Sequence, residues 1–244
     1  MNIFITGISS GIGRAATIHL LNQGHRVWGV ARRIDELHTL SETVSSSDFF
    51  YSECDLSKKE DILAVVSKMR ESSFFPDVVI FNAGVLMNDM SIDHREKIFE
   101  QTFAVNFHSV MFFADIFLKF FLERGNGHFI ALNTTSALRS NRRSISYSAS
   151  KAALSMAFKG LSEWYRDRQI YFSTIYLGPI DTSMWEGRRN FLVGKKEGVS
   201  KHIETIIRTK KPSSYYPRLS TTLFRLACFI PDSIFFRLTR GIMK

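Results

Sequence analysis

Cysteine is nearly absent from this chain: Cys54 and Cys228 are the only two in 244 residues. They lie far apart in sequence, which excludes a disulfide framework and offers no metal-ligand spacing. A reducing, cytoplasmic setting is therefore the simpler expectation. No secretory leader is expected either, because Met1–Ile5 already reads as a strand and a glycine turn follows at once. Internal repeats, low-complexity tracts and flexible linkers are also missing. The length allows one large α/β domain with a sizeable core, but not that domain plus a separate substrate domain.

Acidic residues are outnumbered, with 23 Asp and Glu against 32 Lys and Arg, for a net charge of +9. The basic residues are scattered in small groups at Arg32-Arg33, Arg142-Arg143, Arg188-Arg189, Lys195-Lys196 and Lys210-Lys211, and no nucleic-acid motif accompanies them. A solvated basic surface is the plain reading. A phosphorylated cofactor, a membrane surface or an acidic substrate would be the anionic alternative.

The chain is organised around its first thirty-three residues. The apolar run Met1–Ile5 breaks into Thr6-Gly7-Ile8-Ser9-Ser10-Gly11-Ile12-Gly13, then into an amphipathic stretch and a second apolar run, Arg26–Ala31. That pattern predicts strand, glycine turn, helix, strand, the opening unit of a dinucleotide-binding sheet. Gly7 permits the tight turn, Gly11 a close approach to a pyrophosphate, and Gly13 close packing of helix on strand. Ser9, Ser10 and Ile12 complete the turn, whose free amides and helix dipole would face the phosphates. Arg32 and Arg33 end the second strand, where an acid would bind a ribose 2′-hydroxyl. Arginine suits a 2′-phosphate instead, so NADP(H) is expected over NAD(H).

Further apolar runs at Phe49–Cys54, Asp77–Phe81, His128–Leu132 and Ile170–Tyr176 predict more strands. Ile98–Leu122 predicts one long apolar helix. Tyr147-Ser148-Ala149-Ser150-Lys151 opens another helix and puts Tyr147 and Lys151 on one face. A phenol with a pKa of about 10 is a poor proton donor or acceptor near neutrality. A neighbouring ammonium, together with an oxidised nicotinamide, would favour the phenolate and lower that value.

Taken in order, these motifs resemble those of the short-chain dehydrogenase/reductase family, in its single-domain branch. The glycine turn, Arg32, Asp55, Asn82-Ala83-Gly84, Asn106, Tyr147 with Lys151, and Gly178 to Thr182 all fall in the family's order. The resemblance implies a Rossmann-type, doubly wound, mostly parallel seven-stranded sheet with helices on both faces. It implies hydride transfer between NADP(H) and a carbonyl or alcohol, in a homodimer or homotetramer. It implies that Asp55 and Leu56 lie near the adenine, although Asp55 could equally cap the next helix. Ala83 and Gly84 would leave room for the adenosine ribose, and Asn82 would tie neighbouring strands. The main chain of Asn106 would hold a water in a proton relay. Lys151 would also bind the nicotinamide ribose. Gly178 and the Ile180 backbone would flank the carboxamide, and Thr182 would touch the carboxamide or a phosphate.

The sequence departs from the family pattern at three places. Phe81 replaces the first Asn of the strand-four motif, and Leu177 replaces a proline. The family's serine, thirteen residues before the tyrosine, is Thr134 on gap-free counting. Matching the motif wording picks Ser136 instead; strand alternation favours Thr134. Residues 183–198, with Met184, Trp185 and Phe191, are expected to form a lid, either contacting substrate or simply solvated.

The NADP-binding domain is expected over 1–211, with 212–244 as an extension packed on it. Two apolar-basic stretches split by Pro231, Leu219–Ile230 and Ser233–Met243, suggest a helical hairpin or a peripheral membrane contact through 219–243. Neither is an uncharged run long enough to span a bilayer. Two alternatives to an enzyme with an apolar small-molecule substrate remain open: a non-catalytic NADP-binding sensor or scaffold, and a membrane-surface interaction protein.

Overall fold

Beta-branched and aromatic residues concentrate in short runs along the chain, and in the computed structural model these runs become strands. It describes residues 1–89, 92–140, 144–183 and 190–239. The strands are β1 (Asn2–Thr6), β2 (Arg26–Ala31), β3 (Phe49–Glu53), β4 (Val78–Phe81), β5 (Gly127–Thr134), β6 (Ile170–Leu177), β7 (Ile180–Asp181), β8 (Gly194–Lys195) and β9 (Ser213–Tyr216). The helices are α1 (Gly11–Asn22), α2 (Ile34–Val44), α3 (Lys59–Glu71), α4 (Arg95–Phe103), α5 (Ser109–Arg124), α6 (Ile145–Trp164), α7 (Lys196–Thr209), α8 (Arg218–Ala227) and α9 (Asp232–Thr239). Seven strands form one sheet in the order β3-β2-β1-β4-β5-β6-β9, every pair parallel. The order reverses between β1 and β4, which opens a crevice beyond their C-terminal ends.

Alternation along the strands supplies two cores, one on each face. Phe4, Val79, Phe81, Phe129, Ala131 and Phe172 pack with side chains of α3, α5 and α6. Ile3, Ile5, Val78, Ile80, Ile130 and Ile175 pack with α1, α2 and α7. Both faces are covered, as a parallel sheet requires. The expected doubly wound sheet is the observed one.

Two details differ from the sequence reading. The long helix runs from Arg95 to Arg124 but contains a π-helical stretch at Ala104–His108, centred on Asn106. Although that run is long and apolar enough by composition to cross a membrane, Val110, Phe113, Phe117 and Phe121 bury one side of it against the sheet. Secondly, part of the expected lid is regular structure: β8 pairs with β7, and Lys196 already begins α7. The spacing of Val199, Ile203, Ile206 and Ile207 marks α7 in retrospect. Met184 and Trp185 of that lid, with Arg188-Arg189, and the Arg142-Arg143 pair, lie outside the described residues. The extension contributes β9, the seventh strand of the expected sheet, before forming α8 and α9.

The glycine at position 13 fixes how closely α1 lies on the sheet. A Cβ there would stand 2.1 Å from the Gly7 carbonyl oxygen and 2.5 Å from Asn82 Nδ2. Gly160, exposed on α6, has nothing within 4 Å of such an atom. Gly13→Ala is therefore expected to destabilise the fold by about 3 kcal/mol, since backbone cannot yield. Gly160→Ala should stabilise it by about 0.5–1 kcal/mol through helix propensity. Urea unfolding of both variants measures the contrast; equal effects would contradict the packing argument.

Candidate active site

The crevice between β1 and β4 widens into a cavity of about 440 Å³. Its floor is the turn into α1. Gly7 and Gly11 have φ of +77° and +56°, left-handed values that let the chain double back beneath the helix start. Ser10, the N-cap residue, makes no side-chain cap bond, so the first amides of α1 are left for a ligand. Gly7, Ser9, Ser10, Gly11 and Ile12 all line the cavity. Gly13 lies just below, in the contact already described.

At one end of the cavity Arg32 and Arg33 leave β2 and line the wall. Arg33 donates to Ser9 Oγ at 3.1 Å and sits 3.7 Å from Glu36. Asp55 faces Arg32 but does not line the cavity, whereas its neighbours Cys54 and Leu56 do. Burial pushes the Asp55 carboxyl up, yet two Ser57 hydrogen bonds and the charges of Arg32 and Lys58 outweigh it and hold the pKa below the usual range. The alternative role of helix cap is not observed. Asp55 accepts from the amide and hydroxyl of Ser57 in a local turn, and Lys58, at the N-cap, makes no side-chain cap bond.

The middle is built by Asn82, Ala83 and Gly84 at the end of β4. Asn82 Nδ2 donates to the carbonyls of Thr6 and Gly7, both at 2.9 Å, tying β4 to β1. A Cβ at Gly84 would lie 3.4 Å from Asn106 Oδ1 and 3.5 Å from Lys151 Nζ, in ordinary contact with both, so Gly84 stands directly against the side chains of Asn106 and Lys151. Asn106 is fully buried in the π-helical stretch and does not line the cavity. Its side chain is wholly engaged: Oδ1 accepts from Val85 N at 2.8 Å, and Nδ2 donates to Val85 O and Ser150 Oγ. It braces the loop after β4 against α6.

Tyr147 and Lys151 line the far end, one turn apart on α6. Lys151 is buried, and its Nζ donates to the Leu132 carbonyl at 3.0 Å. Burial pushes its pKa down to about 8. Burial pushes Tyr147 up to about 12, opposed by a hydrogen bond with the Thr134 hydroxyl. The protein's own groups hold Tyr147 in its protonated form, with desolvation the dominant cause; the expected lowering calls on an oxidised nicotinamide as well as the ammonium. Thr134 ends β5, whereas Ser136 lies in a 3-10 turn, Thr135–Ala137, with its amide donating to Thr134 Oγ1 at 3.2 Å. The chain is not extended between the two residues, and neither lines the cavity.

Thr182 and Leu177 close the far end, but Gly178 and Ile180 do not line the cavity. Gly178 donates its amide to the Tyr216 carbonyl at 2.8 Å, and a Cβ on it would meet Ser220 Oγ at 2.9 Å. Ile180 is buried and pairs with Gly194.

Several residues that matter here gave little signal in sequence. Asn133 donates to the Lys151 carbonyl at 2.9 Å and accepts the Thr134 amide at 2.8 Å, joining β5 to α6. Asp89 is fully buried and accepts the amides of Ile145 and Ser146 at 3.0 and 2.6 Å, the first turn of α6. Ser144, which accepts the Tyr147 amide at 3.3 Å, is a cap that its place before the helix could have indicated.

A family model described as short chain dehydrogenase matches residues 1–192. The chain belongs to that family. Among proteins of this kind it is 29% identical over 193 residues to an uncharacterized oxidoreductase of Staphylococcus haemolyticus, covering 79% of this chain and 83% of that protein. Its fold is similar to that of a short-chain dehydrogenase from Sphingobium yanoikuyae in complex with NADPH, with a TM-score of 0.80 at 19% identity, covering 89% and 88% of the two chains. It is also similar to 4-hydroxyisoleucine dehydrogenase complexed with NADH, with a TM-score of 0.79 at 20% identity, covering 88% and 95%. A nicotinamide cofactor therefore belongs to the family, and the bare glycine floor, the uncapped start of α1 and the buried ammonium fit it.

The buried ammonium has a measurable stability consequence. Lys151 titrates at about 8 in the fold against 10.5 unfolded, so the unfolded state holds the proton more tightly. The folded state is penalised fully below pH 8, and the penalty fades as pH rises towards 10.5. Lys151→Met should thus melt at a higher temperature than the unmodified chain at pH 7, with an advantage that shrinks above pH 8. Thermal melts of both proteins from pH 6 to 10 check this; a constant difference across the range would contradict it.

Proposed function

We propose that the chain is an NADP(H)-dependent oxidoreductase that interconverts a carbonyl and an alcohol on a small, largely apolar substrate. The observation that carries this reading is the far end of the cavity, where a Tyr147 phenol hydrogen-bonded to Thr134 stands one helical turn from the buried ammonium of Lys151. When bound, the nicotinamide supplies or accepts the hydride. In reduction, the Thr134 hydroxyl orients the substrate carbonyl and Tyr147 gives its proton to the carbonyl oxygen. In oxidation the same phenol oxygen takes the proton from the alcohol. Lys151 holds the ribose hydroxyls and, as a cation, stabilises the phenolate left behind. Val85, Val105, Leu132 and Leu177 on the cavity wall support an apolar substrate. Assembly as a homodimer or homotetramer belongs to the same reading, since Met156 and Trp164 stand exposed on one face of α6.

The roles of the two hydroxyls separate by substitution. Thr134→Val keeps shape and deletes the hydroxyl, and should lower kcat/KM by about 10²-fold, the usual size for one transition-state donor. Ser136→Ala should cost much less, because it is Thr134, not Ser136, whose hydroxyl is hydrogen-bonded to the Tyr147 phenol. Tyr147→Phe should abolish turnover while cofactor affinity stays nearly intact. Steady-state kinetics with a ketone and aldehyde panel reads all three, and retained reduction by the Phe variant would sink the proton assignment.

Preference for NADPH over NADH is supported by Arg32, Arg33 and Ser9, which gather two cations and a hydroxyl at the end of β2. NADPH should bind more tightly than NADH by fluorescence titration, and Arg32→Asp should weaken NADPH far more than NADH. Equal affinities in the unmodified chain would overturn this choice.

A further inference from the structure

The C-terminal segment 212–244 takes no part in the chemistry proposed above, yet it is fastened to the rim of the site. It carries five basic side chains and one acid, Asp232. On its inner side Thr221 is fully buried, and Ser220 and Thr221 pack against Gly178 at the end of β6. Arg139, just beyond the 3-10 turn that follows Thr134, donates to the carbonyls of Ala227, Cys228 and Ile230. The same guanidinium pairs with Asp232 at 3.0 Å and lies 4.5 Å from the centre of the Phe235 ring. The extension is thus tied to the ends of β5 and β6, beside the end of the cavity that holds Tyr147.

Its outer side is apolar and, among the described residues, exposed. Leu219, Leu223 and Leu226 follow at helical spacing on one face of α8 and are 54%, 50% and 60% exposed; Phe229, just after the helix, is 87% exposed. Arg218 and Arg225 are exposed on the same helix and Arg237 on α9. Asp232, the one carboxylate of the segment, already faces Arg139. The occupant of this face must therefore be apolar and negatively charged. A second copy of the same face would set arginines against arginines with no acid between them, which an isologous contact disfavours. A bilayer carrying anionic lipids meets both demands, with leucine and phenylalanine side chains entering the acyl boundary and arginines at the lipid phosphates.

We infer that the α8–α9 extension docks the chain on an anionic membrane surface, with the rim of the substrate side turned towards it. The docking stands on the geometry of the extension alone. Delivery of a lipid-soluble carbonyl or alcohol from the bilayer to the Tyr147 end of the cavity follows from it and rests on the oxidoreductase reading.

The test uses the full chain and vesicles of phosphatidylcholine with or without phosphatidylserine, separated by sedimentation. The unmodified chain should pellet with the anionic vesicles about 10-fold more than with the neutral ones, and less as salt rises. Combined Leu219→Ser, Leu223→Ser and Phe229→Ser should abolish binding, and so should combined Arg218→Glu and Arg237→Glu. Both sets should keep the thermal melt and the turnover of a water-soluble substrate unchanged. No pelleting of the unmodified chain, or undiminished binding by both variants, overturns docking. Self-association lost in the Leu/Phe variant, without vesicle binding, assigns the face to a second copy and also overturns it. Since sedimentation needs no turnover, an inactive chain that pellets would refute the oxidoreductase reading and leave the docking intact.

Discussion

The site depends first on how closely three backbones can meet at the mouth of β1. A Cβ on Gly13 would strike the Gly7 carbonyl at 2.1 Å, and one on Gly7 would come within 2.8 Å of Ala83 Cα. The β1–β4 ladder ends at Ile5 and Ile80, so the carbonyls of Thr6 and Gly7 need other partners, and the Asn82 amide bridges both. One side chain therefore closes the sheet and fixes the floor of the cavity. The amides of α1 are aimed by that contact.

The second dependence is polar and buried. Asn106 clasps Val85 and reaches Ser150, Asn133 holds the Lys151 carbonyl, and Asp89 caps the first amides of α6. Each group would cost about 1–3 kcal/mol if left unsatisfied in the core. The network is stable only when all the partners are present, which locks α6 to the loop after β4 and to the end of β5. The π-helical stretch fits this arrangement, because it lies where Asn106 turns inward to its partners.

Much of this frame was legible in the sequence, for physical reasons. Alternating or continuous apolar runs mark the strands, Gly7 and Gly13 mark a turn and a close contact, and Tyr147 with Lys151 share a helix face by spacing alone. The missed features arise from pairing across long stretches of chain. Asp89 meets Ile145 only after folding, and nothing local in either segment says so. Gly178 reads as part of the cofactor end, yet it is packed under α8, because the extension folds back over it through Ser220 and Thr221. The short turn at Thr135–Ala137 likewise follows from Thr134 accepting the Ser136 amide, a bond that spacing could not reveal. The burial that pushes the Tyr147 phenol up is equally silent in sequence, which shows neighbours but not desolvation.

That shift joins the fold to the chemistry. Burial moves both groups towards their neutral forms, Lys151 down to about 8 and Tyr147 up to about 12. The lysine is aimed at the Leu132 carbonyl rather than spent on the phenol. Near neutral pH the protein by itself therefore holds a protonated phenol beside a predominantly charged ammonium, the state that can give up a proton. Desolvation of the phenol outweighs its hydrogen bond with Thr134. The cavity thus does two things with the same property: low polarity keeps the donor loaded, and it also strengthens the pull of any cation brought alongside.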